Sequence, residues 1–277
     1  MKLKRLISTV LAMTAVSACT ATFASCESAR PEVKITLSFQ GENYELDYVL
    51  YRKIAPATVA HFLALADEGY YDKMCVHDYS DARLYTGGYK YQAGAENGGL
   101  VYENYYDFVK THDVPKTVFD VVTGAPTYTL YGEFATNSFE VENGNLNEEF
   151  GSLGMFYTEK SRGVISVDLD HPEAGESSNR DYAYNSATSL FFISLVTSTR
   201  SNNDYCTFAK LDEDCVEELQ DLDQTVAEYI AENDASQEYY KVYIDQDDKY
   251  FGEHQNYANY NVLKSPIIIE SVKVKKF

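Results

Sequence analysis

Basic residues are scarce in this chain. Only 23 Lys and Arg stand against 43 Asp and Glu in 277 residues, a formal net charge of −20. A surface so acidic repels phosphates, which argues against nucleic acid as a partner. Long apolar runs are missing beyond the N-terminus, so no later segment reads as a membrane-spanning helix. Cysteines number 5, and no pair has the spacing of a metal site. His112, His171 and His254 are scattered among acids without ligand spacing, so no metal or other cofactor is implied. No G-x-S-x-G nucleophile motif occurs, which argues against a hydrolase. Tryptophan is absent, no internal repeat is visible, and strands and helices do not alternate in a βαβ rhythm.

Tyrosine is abundant, at 25 residues, and fits half-buried positions on strands. The first 18 residues carry a basic start, Met1-Lys-Leu-Lys-Arg5, and a short apolar run, Leu6 to Val16. They read as a signal peptide. Val16-Ser-Ala-Cys19 resembles the lipobox of bacterial lipoproteins, which makes Cys19 the expected lipidation site. Cys26, after Phe23-Ala-Ser, matches less well, and an ordinary cleaved signal peptide is the alternative. Residues 19–32 then form a lipidated tether, attached to the membrane through lipid only, on the extracytoplasmic side of a cell envelope. Removing residues 1–18 takes away three bases and no acid, so the mature chain is more acidic still. Outside the cytoplasm Cys26, Cys75, Cys206 and Cys215 could pair in any of three ways. Cys75 and Cys206 sit in strand-like runs and read better as buried free thiols.

From residue 33 the chain reads as one domain. Val33 to Phe39 alternates apolar and polar residues, a half-buried strand, and Tyr44 to Tyr51 reads as its hairpin partner. Pro56 suits a first helical turn and Gly69 a helix stop. Between them Val59, Phe62, Leu63 and Ala66 share one apolar face, with His61 expected at the surface. Two short strands follow in 70–88. Gly163 to Asp168 and Tyr205 to Leu211 read as strands, Glu213 to Glu232 as an acidic helix, and Pro266 to Lys275 as the closing strand. Stretches near 89–130, 140–160 and 212–264 carry extra sequence, and 89–130 reads as a surface excursion. The polar turn Asn185-Ser-Ala-Thr-Ser runs straight into an apolar strand, Leu190-Phe-Phe-Ile193. Many short strands with few helices predict a mainly β barrel or sandwich.

In order, these blocks resemble the cyclophilin-type peptidyl-prolyl isomerases. The residues that carry the likeness are Ala55 to Phe62, Glu68 to Asp72, Val76-His77-Asp78, Ala82 to Tyr89 and Gly132-Glu-Phe134. It continues through Gly163 to Asp168, Asn185 to Ile193, Tyr205 to Leu211 and Ile269 to Val272. The resemblance implies a closed antiparallel eight-stranded β-barrel capped by two helices. It also implies a monomer acting on proline-containing polypeptides.

Prolyl isomerisation faces a barrier of roughly 18–20 kcal/mol set by amide resonance. The family grips proline in an apolar pocket and aims an Arg at the prolyl nitrogen, an electrostatic stabilisation of the twisted amide. At that Arg position stands Asp78, which cannot donate unless protonated. The substrate-gripping positions hold Arg83, Leu84, Thr86, Asp168, Leu169 and Leu190, and the family's loop Trp becomes Arg200. Phe192, the pocket floor, and Tyr205 match the family pattern, as does the structural His77. The expectation is a cell-surface isomerase of weak activity, with an inactive polypeptide-binding lipoprotein as the alternative. Arg83 offers a replacement cation, oriented by Asp78. Its plainer reading is a solvated surface pair with Asp78.

Overall fold

The computed structural model describes residues 28–112, 114, 119–120, 130–134, 146–158, 165–168, 179–182, 185–197, 205–233, 236–243 and 257–277. The signal peptide, Cys19, Cys26, Leu169, His171, Arg200 and His254 lie outside them.

The first hairpin follows its sequence pattern. Strand β1 (Glu32–Phe39) buries Val33, Ile35, Leu37 and Phe39 on one face, and β2 (Glu42–Leu50) buries Tyr44, Leu46, Tyr48 and Leu50. Gln40 and Gly41 join them with φ of 51° and 94°, the paired left-handed conformation of a tight hairpin turn. Helix α1 (Pro56–Asp67) starts on Pro56 with no side-chain cap from its own N-cap residue, Ala55. Its end is a Schellman arrangement around Gly69 (φ 73°): Tyr70 N–H donates to Leu65 O and Gly69 N–H to Ala66 O.

Next come β3 (Asp78–Ser80) and β4 (Arg83–Thr86), then a small hairpin, β5 (Tyr89–Tyr91) with β6 (Leu100–Tyr102), and helix α2 (Tyr105–Thr111). Short strands β7 (Phe119–Asp120) and β8 (Leu130–Tyr131) precede β9 (Leu153–Thr158), β10 (Ile165–Asp168), β11 (Asn179–Tyr182), β12 (Asn185–Ser194) and β13 (Cys206–Leu211). Helix α3 (Val216–Glu232) and a second hairpin, β14 (Gln237–Tyr243) with β15 (Tyr257–Leu263), lead to the last strand, β16 (Ile268–Lys276).

The main sheet runs β16-β1-β2-β13-β9-β12-β4-β3, with β8 pairing to β12. Every pairing in it is antiparallel. Among the described residues it is an open, curled half-barrel of eight antiparallel strands, the mainly β architecture expected from sequence. The ends of the ladder, β3 and β16, do not pair along their length. They meet just before β3, where Lys73 N–H donates to Ile269 O, Ile269 N–H to Met74 O, and Val76 N–H to Ile267 O. Helix α1 packs on β16, β13 and β8, and α3 packs on β2. Leu219, Leu222 and Val226 of α3 are buried, as its spacing predicts. Cys75 and Cys206 are buried free thiols, and burial pushes the Cys75 thiol up to about 12.

Three expectations change. His61 is buried, not at the surface, because α2 covers the second face of α1; the Tyr105 hydroxyl lies 3.0 Å from His61 Nε2. The stretch 89–130 is therefore packed in part, since Tyr105, Val109 and Val114 join the main core. The strand beside β12 is β9, from within the stretch read as polar insertion. Residues 165–168 belong instead to a separate sheet, β11-β10-β7.

Candidate active site

Adjacent residues of β12 serve opposite faces of the sheet. Phe191 points into the core, edge-on to Phe62 and Tyr71 with ring centroids 5.4 and 5.3 Å away. Phe192 takes the other face, where Tyr85 and Tyr205 meet it edge-on at 5.7 and 5.6 Å. The ring of Phe192 lies across Gly154 of β9. A Cβ there would stand 2.1 Å from its Cζ, so only glycine lets the ring settle.

The register of β4 decides which side chains join Phe192. Asp78 pairs with Tyr85, Tyr79 with Leu84 and Ser80 with Arg83, and Phe192 of β12 stands opposite Tyr85. Period-two alternation then sends Arg83 and Tyr85 to the Phe192 face and turns Leu84 and Thr86 inward. Leu84 joins the hydrophobic core, and the Thr86 hydroxyl donates to Cys75 O at 2.8 Å. Neither lines the Phe192 face, contrary to the substrate-gripping positions that the resemblance implies for them. Leu190 is buried against Gly88. Asp168, expected at a substrate-gripping position, sits on β10 in the separate sheet, and the strand beside Phe192 is β9.

Arg83 is the centre of what remains. Its Cζ lies 4.3 Å from the Phe192 ring centroid and 4.4 Å from that of Tyr205, in the corner between two nearly perpendicular rings. Nε donates to Glu148 Oε1 at 2.8 Å, Nη2 to Oε2 at 2.7 Å, and Nη1 to the Tyr85 hydroxyl at 3.2 Å. Ser194, opposite Arg83 in the β4–β12 register, donates its hydroxyl to Glu148 Oε1 at 2.9 Å. Side-chain exposure is 15% for Arg83 and 6% for Glu148. Burial alone would lower the Arg83 pKa, but Glu148, then Tyr85 and Tyr205, hold it above its ordinary value.

Asp78 is not the orienting partner of Arg83. Its carboxylate accepts the backbone N–H of Asn261, on β15, at 2.8 Å, and burial raises its pKa against that hydrogen bond. The second hairpin thus lies over the end of β3. His77 beside it is buried between Tyr89 and Tyr260, at ring distances of 5.0 and 4.8 Å. The structure therefore brings together Arg83, Phe192 and Tyr205, adds Glu148, Tyr85, Ser194 and Gly154, and holds Asp78 in separate contacts.

Residues 33–244 match the family described as cyclophilin type peptidyl-prolyl cis-trans isomerase/CLD. The chain belongs to this family. Among solved structures it is similar to a cyclophilin-type isomerase of Cryptosporidium parvum, at 18% identity over 90% of this chain and 99% of that one, with a TM-score of 0.41. The Mimivirus cyclophilin is similar at 14% identity over 91% and 92% of the two chains, with a TM-score of 0.42. No curated protein matches the chain. As a cyclophilin-type domain it is an isomerase by resemblance, and its candidate pocket floor, Phe192, is covered by its own Arg83.

Glu148, Tyr85 and Gly154 escaped the reading of the sequence. The only signal for Tyr85 is the strand period, which places it beside Arg83. Glu148 and Gly154 lie in the stretch near 140–160 read as extra sequence, and their partners are remote in the chain.

Proposed function

We propose that this chain is an exported, lipid-anchored prolyl isomerase of low activity, acting as a monomer on X–Pro bonds of secreted polypeptides. Family membership supports the reaction. The observation that carries the reading of low activity is the Arg83 guanidinium seated on the Phe192 ring. The family's reaction needs that apolar face for the prolyl ring and a donor near the prolyl nitrogen. Here the face is occupied, and the position of the family's Arg holds a carboxylate, Asp78. Anchoring rests on the basic N-terminus and the Cys19 motif.

The test is cis/trans exchange of an Ala-Pro-Phe peptide, followed by NMR with the full-length chain. Acceleration that disappears in Phe192→Ala supports the isomerase. A second reading, a polypeptide-binding domain without catalysis, is favoured by Asp78, because binding needs only shape and apolar area. Peptide shifts without faster exchange would select that reading.

A further inference from the structure

The Arg83–Glu148 pair is a built feature and not a surface ion pair. Both oxygens of Glu148 are engaged by one guanidinium, in the fork-to-fork geometry that fixes orientation as well as distance. Oε1 is held from a second side by Ser194. One strand pairing, Ser194 with Arg83, thus supplies both the cation and a donor to its counter-ion. Phe192 is fully buried although its side chain leaves the core face, and Arg83 is what lies on its ring. A prolyl ring entering this corner needs the surface that the guanidinium holds.

We propose that Glu148 is a positioning residue that fixes Arg83 across Phe192, so that substrate enters only after the Arg83–Glu148 pair is broken. This rests on the reading of Phe192 as the floor of the proline pocket. Arg83 keeps 15% exposure, so its long side chain has a route to solvent once Glu148 lets go. The apparent affinity for peptide is then the intrinsic affinity reduced by the fraction of molecules in which Arg83 has swung aside. Glu148 accordingly acts on peptide affinity and KM more than on kcat.

The experiment uses the full-length chain and titrates the Ala-Pro-Phe peptide by NMR against wild type, Glu148→Gln, Arg83→Ala and the double variant. Gln at 148 retains an acceptor for Ser194 and loses the charge that fixes Arg83. Glu148→Gln and Arg83→Ala are each expected to tighten binding by about tenfold or more. The double variant should gain little over Arg83→Ala, because both changes remove one obstacle. A second readout needs no catalysis. The Nε–Hε signal of Arg83, ion-paired and close to two rings, should shift in Glu148→Gln and on saturating wild type with peptide.

Variants that bind no more tightly than wild type, binding gains that add independently, or peptide saturation that leaves the Arg83 signal in place would each overturn the proposal. Absence of binding in all four proteins overturns it as well. Tighter binding in the variants without faster exchange leaves the gate standing and removes the isomerase reading, so the two failures are distinct.

Discussion

The Asp78 carboxylate accepts the backbone N–H of Asn261 at 2.8 Å, tying β3 to the β14–β15 hairpin. Asn261 also donates its side-chain amide to Tyr79 O at 2.9 Å and to Gln237 Oε1 at 2.7 Å. Asp78, which the resemblance sets at the family's Arg position, is therefore the acceptor in the hairpin's docking contact. The substitution and the hairpin belong together: an Arg at 78 has no N–H acceptor to offer Asn261.

It follows that putting in the residue that the resemblance implies is not expected to speed peptide exchange. Asp78→Arg should leave peptide exchange no faster than wild type and cost about 1–3 kcal/mol, the penalty for leaving the Asn261 N–H without its acceptor. Asp78→Asn should behave differently, since its amide oxygen still accepts from Asn261. The Asp78 pKa is raised by burial, so the folded state binds that proton more tightly than the unfolded one. Its contribution is full below the ordinary value of 3.8 and is lost as pH rises through the raised value. Denaturant titrations should find Asp78→Asn more stable than wild type at pH 7, with the difference vanishing below pH 3.8. An equal difference at both pH values would contradict the assignment.

His77 has the opposite pH signature. Burial pushes its pKa from 6.5 down to about 3, and its Nδ1 has no hydrogen-bond partner among the described residues. The unfolded chain takes up the proton first. The stability His77 contributes is present above pH 6.5 and is lost as pH falls through the window down to about 3. Within that window the slope should approach about 1.4 kcal/mol per pH unit. His77→Phe, which keeps the ring between Tyr89 and Tyr260, should remove that slope. An imidazole signal titrating near 6.5 in the folded wild type would refute this.

Much of the framework is legible because single elements carry it. The alternation of β1 and β2, the Pro56-to-Gly69 helix and the buried face of α3 are local patterns with local causes. What was not legible depends on neighbours. His61 looks exposed on its own helix and is buried by α2, from 44 residues later in the chain. Gly163 to Asp168 reads as a better strand than Leu153 to Thr158, yet β9 fits beside β12 because Gly154 makes room for the Phe192 ring. Arg83 and Tyr85, not Leu84 and Thr86, face Phe192 because β4 pairs in a register that the motif does not specify.

That role of Gly154 is testable. Gly154→Ala puts a methyl 2.1 Å from Phe192 Cζ, closer than any unstrained contact, so the ring or β9 must shift. A loss of about 1–3 kcal/mol is expected in denaturant titrations, the usual cost of overpacking a well-packed site. The Arg83 Nε–Hε signal should move with the ring it covers. An unchanged signal in a destabilised variant would place the strain elsewhere.

Lipidation at Cys19 is tested by fractionation. Expressed in a bacterium with its native N-terminus, the full chain should partition with membranes and take up labelled fatty acid. Cys19→Ala should do neither. Membrane association retained in Cys19→Ala would assign the anchor to another feature.

Glu133 supplies the cap that α1 lacks. One carboxylate oxygen accepts Ala57 N–H at 3.0 Å and the other accepts Thr58 N–H at 2.9 Å, so a residue from the Gly132-Glu-Phe134 motif closes a helix 75 positions earlier. The pairing suits the positive end of the helix, where unpaired N–H groups favour a negative charge. Burial nonetheless raises the Glu133 pKa, outweighing the hydrogen bonds that favour the charged form. Glu133→Ala leaves two N–H groups without their acceptor and should cost about 1–3 kcal/mol. Glu133→Gln keeps one acceptor and removes the buried charge, so its cost should be smaller at pH 7. Amide hydrogen exchange at Ala57 and Thr58 separates the two outcomes. Both amides should lose protection in Glu133→Ala, and one should keep it in Glu133→Gln. Full protection in Glu133→Ala would show that α1 is capped without this carboxylate.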